Sequence, residues 1–355
     1  MKLSIGCTDP GGTRLCGSFL NLLFRQEDYS EIYSSRWLGR IICSIILILS
    51  IGNLHGQQLY EVKIASANDN YCLNLHDGYY TNGLFIRVNY LPHLKVVTDS
   101  VRKLTKIAAY YQVGQMMFTP ESIQNSIVDQ IDRPFAGYLF IEKGMTFFYR
   151  RGHVLRTSVS LGVVGPASLA QQTQVLIHRT FAIYIPQLWS YQVKNEAGVN
   201  LQAQYWHELM PAGRSRKWFD LHSTAQMNLG NTFTNGSVGL LFQWGRFARP
   251  AQSALYDARL DRQSSTRRKA VELYGFFHPT YQYQVFNATV EGRLLGSNTG
   301  SILSSTEPWV YQHDVGIAYA QNRWTAQLVY SLKTKEATSM RHDEQYVTVT
   351  TAYCF

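Results

Sequence analysis

The sequence predicts an all-β protein: a closed, antiparallel transmembrane β-barrel of about twelve strands, with a short helix in an outer loop. Three observations predict it. Beyond residue 57 the prevailing rhythm is alternation of apolar and polar residues, over runs of roughly 9–11 residues. The chain of 355 residues holds 23 Tyr, 17 Phe and 7 Trp but only 16% charged residues, against about 25% in an average soluble domain. The connections between runs alternate short and long, as in barrels with tight inner turns and extended outer loops. In lipid the backbone must pair with itself, so such a sheet has to close.

The elements follow in order. Residues 1–56 read as an N-terminal extension and signal peptide, and 57–355 as the barrel. The apolar run Ile41 to Ile51 is too short to cross a bilayer as a helix, which needs about 20 residues. Arg36 and Arg40 precede it, and Asn53 to Gly56 follow, with cleavage expected near Gly56-Gln57. Without that leader the chain keeps 28 basic and 20 acidic side chains, a net of +8. An exported protein seldom meets nucleic acid, so an anionic lipid headgroup is the better partner for this excess. Cys72 and Cys354 are the cysteines outside the leader.

Twelve alternating runs are expected near 58–66, 82–91, 106–117, 138–149, 153–164, 198–209, 216–229, 236–247, 270–286, 308–320, 323–335 and 344–355. Leu84, Ile86, Val88 and Tyr90 share one face, with Phe85, Arg87 and Asn89 opposite. Phe219, Leu221, Ala225, Met227 and Leu229 oppose Asp220, His222, Thr224, Gln226 and Asn228. The last run ends on Phe355, with Tyr353, Val349 and Val347 on the same face. An even count returns the C-terminus to the side of the first strand.

Arg150 to His153, Pro211 to Ser215 and Gln321-Asn322 read as short inner turns. Residues 67–81, 118–137, 165–197 and 287–307 are long outer connections. Two inner connections break this pattern: 92–105, and 248–269 with Arg259, Arg262, Arg267 and Arg268. The topology puts Cys72 and Cys354 about 25 Å apart along the membrane normal, beyond the roughly 7 Å a disulfide tolerates, so two free thiols are expected. After the turn Gly165-Pro166, residues 167–181 lose the period of two and gain helix formers. Gln171, Gln174 and His178 would share a face of that helix, which would lie over the barrel mouth.

Candidate chemistry gathers on the outer connections. His178 is the best general base, because imidazole titrates near neutrality. Asp69 offers a carboxylate and Asn68 an amide, hard oxygen donors suited to Ca²⁺ or, equally, to an Asx turn. Thr81 and Asn82 could donate hydrogen bonds to an oxyanion, with Gly83 permitting close approach, or could simply form a turn. Asp132-Arg133 reads first as a local ion pair. His207, His222, His278 and His313 lie within expected strands, where structural roles are more common. Neither a Gly-x-Ser-x-Gly elbow nor a His-Glu-x-x-His pair occurs.

At these residues the chain resembles the bacterial outer-membrane lipid A 3'-O-deacylase family. The resemblance covers most of 58–355. It rests on Ala67-Asn68-Asp69, Tyr80-Thr81-x-Gly83, Asp132-Arg133-x-Phe135, Gly162 to Pro166, Gln171-x-x-Gln174 and His178-Arg179. It implies a twelve-stranded barrel of the Gram-negative outer membrane that removes the 3'-O-linked acyloxyacyl chain of lipid A, the membrane anchor of lipopolysaccharide, and needs Ca²⁺. It also implies His178 as base, with Asn68 and Thr81 at catalytic positions and Asp69 holding the metal. Arg179, Arg133 and Asn82 are the expected substrate contacts, and a monomer is the expected state. Two positions depart from the family pattern. Six residues after the histidine, where members can have an acidic group, stands Tyr184; Glu196 is an alternative orienting carboxylate. Residues Glu121 to Gln130 lack the basic pair that members can carry there, leaving Arg133 or Arg179 to grip phosphate. A phospholipase-type acyl hydrolase and a non-catalytic barrel are the alternative readings.

Overall fold

The computed structural model describes residues 59–72, 78–93, 104–121, 127–180, 182, 184–210, 218–261 and 270–355. The expected leader, the turn Pro211 to Ser215 and most of the 92–105 connection lie outside the described residues.

Twelve strands are present: β1 Tyr60–Asn68, β2 Tyr79–Tyr90, β3 Leu104–Thr119, β4 Ala136–Tyr149, β5 Val154–Val164, β6 Glu196–Glu208, β7 Phe219–Gly230, β8 Phe233–Arg246, β9 Glu272–Asn287, β10 Trp309–Gln321, β11 Trp324–Lys333 and β12 Glu344–Cys354. Each pairs antiparallel with its sequence neighbours, and β1 closes the cylinder on β12, with Glu61 opposite Cys354 and Asn68 opposite Val347. Period-two alternation becomes a two-faced wall. Leu84, Ile86, Val113, Ile141, Leu161, Leu201, Val238, Ile317 and Leu328 stand exposed on the outside, where lipid rather than water would meet them. The alternate positions line the lumen.

The described part of the long inner connection after β8, residues 247–261, folds into the lumen, whereas Arg262, Arg267 and Arg268 lie outside the described residues. Asp257 there accepts from Lys63 at 2.7 Å, Arg87 at 2.8 Å and Arg156 at 3.3 Å, drawing three strands onto one carboxylate. Burial opposes that charge, but the three cations win and hold the Asp257 carboxyl below its ordinary range. Lys106 donates to the carbonyls of Ala251, Ala258 and Leu260. Arg259 pairs with Glu272 at 2.8 Å, and Tyr256 packs edge-on against Trp206. A buried ring cluster of Phe148, Trp206, Tyr256, Tyr274 and Phe276 thus fills the inner half.

Above this plug lies a cavity of about 420 Å³, lined by amides such as Gln202, Asn228 and Gln282 and by the rings of Tyr80 and Tyr346. Its charged wall is a cluster in which Glu336 bonds both Arg133 and Lys333. Burial would raise the Glu336 carboxyl; the two cations overcome it and hold it down at about 2.

Both cysteines are free thiols, and Cys354 donates to Glu61. His278 bonds Thr224 at 3.0 Å inside the lumen, a structural role as expected.

Candidate active site on the outer wall

The expected helix forms as a 3₁₀ turn, Pro166–Ser168, followed by α1, Ala170–Thr180. Its position corrects the expectation of a lid across the mouth. Gly165 N donates to Gly137 O at 2.9 Å, and Gln115 Nε2 donates to Ser168 O at 2.7 Å. A Cβ on Gly137 would sit 2.1 Å from Ser168 Oγ and 2.3 Å from the Ala170 Cβ. Gly137 and Gln115 share the outward face with exposed Ile141 and Val113. The helix therefore begins against the outside of the barrel, where only a glycine lets it approach the strand so closely.

Its buried residues are Ala170, Gln174 and His178, spaced by four. Gln171 is exposed, which corrects the expected face: Ala170, small enough to meet Gly137, takes the contact position. Gln174 Oε1 accepts from Trp189 Nε1 at 2.7 Å, and its Nε2 is a buried donor without a partner. Met117, Phe135, Ala170 and Trp189 form the apolar seal beneath the helix, with Tyr184 and Leu188 at its edge.

His178 is 4% exposed, and its Nδ1 lies 2.6 Å from the backbone oxygen of Tyr184. A carbonyl can only accept, so Nδ1 carries the proton and Nε2 is the basic nitrogen. The Tyr184 ring stands edge-on to the imidazole at 5.4 Å. Glu196 is engaged elsewhere, accepting from the backbones of Leu294 and Leu295, which corrects its suggestion as the orienting group.

The other candidates meet on one rung of the wall. Asn68 pairs with Asn82, Asn82 with Met117, and Met117 with Gly137. Thr81 and Asn82 are both strand residues: β2 begins three residues before the expected start at Asn82, and the turn weighed as the alternative for them does not form. A bulge between Tyr80 and Asn82 adds Thr81 as an extra residue, whose hydroxyl lies 2.6 Å from that of Thr119 on β3. Gly83 faces the lumen, where a Cβ would strike the Tyr80 hydroxyl at 2.1 Å; its smallness serves that ring, which corrects the reading of close backbone approach.

Just beyond β1, the Asn68 side chain accepts from Asn70 N at 2.8 Å, the Asx turn weighed from sequence. Asp69 is buried; Oδ1 accepts from Asn70 N at 2.8 Å and Oδ2 from Gly78 N at 2.6 Å. Among the described residues no three His, Cys, Asp or Glu side chains converge as a metal cage. A carboxylate beside an amide oxygen is nevertheless the donor type that a Ca²⁺ ion completed by carbonyls and water would take.

The expected Asp132–Arg133 ion pair does not form. Asp132 accepts from the Tyr79 hydroxyl at 2.7 Å and from Glu121 N at 3.0 Å. Arg133 is fully buried, bonded to Glu336 and to Thr289 and seated 4.2 Å over the Phe118 ring. Arg179 is exposed in the last turn of α1. Sequence reasoning missed Thr119, Trp189 and the Tyr184 carbonyl. Thr119 could have been found as the β3 end residue facing the bulge, whereas nothing in the sequence points to the other two.

The family model described as "Outer membrane protein LpxR" matches residues 41–355. Among curated proteins none matches. Of solved structures, LpxR from Salmonella typhimurium superposes with a TM-score of 0.66 at 17% identity, over 83% of this chain and 100% of that one. The β domain of the Bordetella autotransporter BrkA reaches 0.45 at 10% identity, over 84% and 99%. The first of these shows a shared barrel fold.

Proposed function

This chain belongs to the LpxR family of outer membrane proteins, and from that premise we propose that it is an ester hydrolase of the outer leaflet that removes the 3'-O-linked acyloxyacyl chain of lipid A. The observation that carries the proposal is the setting of His178: on the buried face of α1, a helix that starts against the lipid-facing wall, with its Nδ1 proton held by the Tyr184 carbonyl.

The wall leads from β5 back through β4 to β3, and β2 follows with Thr81 and Asn82. From Ala170 to His178 a helix rises about 12 Å. Three strand spacings, from Gly137 to Asn68, span about 14 Å. The helix packs on β4 and β3; if it runs on toward β2, its length would suffice to carry His178 to the Asn68–Asn82 rung.

In the proposed reaction His178 Nε2 takes a proton from water. The resulting hydroxide attacks the ester carbonyl carbon. The Asn68 amide and the Thr81 hydroxyl donate to the oxyanion. Thr81 is free to donate when Thr119 supplies the proton of their shared hydrogen bond. Collapse breaks the bond to the sugar oxygen, His178 returns the proton to that oxygen, and a fatty acid leaves. Asp69 and Asn68 would hold Ca²⁺, which when bound polarises the ester carbonyl. Asn82 and Arg179 sit where the headgroup would lie, whereas Arg133 serves by fixing the loops from within. The acyl chain would lie against Leu84 and Val113 without leaving lipid. A single active site within one closed cylinder needs no partner subunit.

The test is lipid A incubated with the purified barrel, with and without a calcium chelator, read by mass spectrometry. Loss of the acyloxyacyl mass, suppressed by chelator, is expected. Unchanged lipid A would refute the activity, and cleavage of a glycerophospholipid offered in the same mixture in preference to lipid A would favour the phospholipase-type reading.

A further inference from the structure

We infer that Arg341 and His342, in the outer loop between β11 and β12, form the subsite for a phosphate monoester on the lipid substrate, with Glu121 occupying it until substrate arrives. This rests on the lipid A reading above and names residues that neither the sequence motifs nor the family resemblance single out.

The observation is a chain of contacts that joins these two side chains to the Asp69 turn. The Gly78 amide donates to Asp69 Oδ2 at 2.6 Å. Gly78 lies against Glu121, where a Cβ would stand 2.9 Å from the Glu121 Cα. The Glu121 carboxylate meets His342 Nε2 at 3.2 Å and Arg341 Nη1 at 4.0 Å. The backbone amides of Arg341 and His342 both donate to the Tyr79 hydroxyl, at 3.0 and 3.2 Å, and that hydroxyl donates to Asp132. The pair is therefore fixed in position by backbone bonds while its side chains stay 55% and 69% exposed. Backbone anchoring with free side-chain ends is the arrangement that presents charge at little ordering cost.

Charge bookkeeping among the neighbours favours this pair. Arg133 and Lys333 are taken by Glu336 inside the lumen. Residues 122–130 carry no Lys or Arg. The acidic groups around the pair are Glu121, which contacts it, exposed Asp343, the next residue along, and buried Asp132, which is engaged by the Tyr79 hydroxyl and the Glu121 amide. Arg341 touches Glu121 with one nitrogen at the limit of ion pairing, so most of its planar fork remains available for an oxyanion. A phosphate brings more negative charge and more acceptor oxygens than one carboxylate, so it can displace Glu121 from both partners.

The experiment compares lipid A with phosphatase-treated lipid A, each titrated into the full-length purified barrel in neutral detergent, with ester release followed in parallel. Wild type should bind the phosphorylated lipid more tightly. Arg341→Ala with His342→Ala should cut that preference about tenfold, Arg341→Lys should keep most of it, and Glu121→Gln should increase it. Arg151→Ala at the opposite rim controls for net charge and should leave the preference where it is. A double variant with the wild-type preference, or one that weakens both lipids equally, overturns the subsite. Phosphate-selective binding without ester release would defeat the esterase reading while leaving the subsite standing.

Discussion

The two ends of this barrel use charge in opposite ways. At the inner end one carboxylate, Asp257, collects three cations from strands far apart in sequence and pulls a loop into the lumen. At the outer end the buried group Arg133–Glu336–Lys333 ties loops together at the wall of the cavity, while Asn68 and Asn82 turn to the outside of the barrel, on the rung that leads through Met117 to Gly137. The contrast teaches where chemistry can occur. Lumen charges serve structure, and under the proposed activity the hydrophobic substrate would be met on the lipid side. A pore would require the reverse: a clear lumen and an unremarkable exterior.

The largest expected effect separates the two ends by activity. His178→Ala should reduce lipid A deacylation by a factor of about 10²–10⁴, the range for removing a general base. Asp257→Ala, at the plug, should leave it near the wild-type rate. Mass spectrometry of the lipid product checks both, and equal loss in the two variants would erase the distinction. Next comes stability. Arg133→Ala leaves Glu336 with Lys333 as its one cation and should cost up to about 3 kcal/mol, the low end for a buried pair that loses a partner. It should be visible as a lower temperature for loss of the compact barrel band in electrophoresis. Gly137→Val is a subtler cut. Its side chain would collide with Ser168 and Ala170, lifting α1 by an ångström or so. A misplacement of that size costs up to about 10² in rate, with the melting of the barrel little changed.

Acid should give the smallest effect, and it acts on both ends. The Glu336 carboxyl, ordinarily near 4.5, is held at about 2 in the fold. A depressed carboxyl contributes stability that is complete above the unfolded value and lost as pH falls through the folded one. Barrel stability should therefore decline from about pH 4.5 toward about pH 2. Asp257, lowered in the same sense, adds to the decline. Glu336→Gln should flatten its share of the curve.

How much of this was legible in the sequence depends on the range of the interaction. Strand identity is local, so alternation such as Leu84-x-Ile86-x-Val88 located the strands to within a few residues, and helix formers after Pro166 located α1. The expected β2, 82–91, starts three residues late, because the bulge at Thr81 interrupts the alternation there and becomes apparent only when β3 is laid beside it. Asp257 and Arg133 were opaque for a different reason. Their partners lie up to 203 residues away, and nothing in the intervening chain announces the pairing. At the candidate site, His178, Asn68 and Asp69 could be picked out as candidates because imidazole, amide and carboxylate are side-chain types suited to the proposed chemistry. The orienting group was not, because a backbone carbonyl of Tyr184 stands where a side-chain carboxylate was sought. The position of α1 on the wall depends on Gly137, a residue whose message is the space it leaves.

The central claim is that substrate meets the outer wall and never enters the lumen. The most direct measurement uses lipid A carrying a photoreactive group in its 3' acyl chain, irradiated on the barrel and mapped by peptide mass. Adducts on outward-facing Asn82, Leu84, Val113 and Gln115, or on α1, are the expected result. Adducts on lumen-facing Gln202, Asn235 and Gln282 would contradict it.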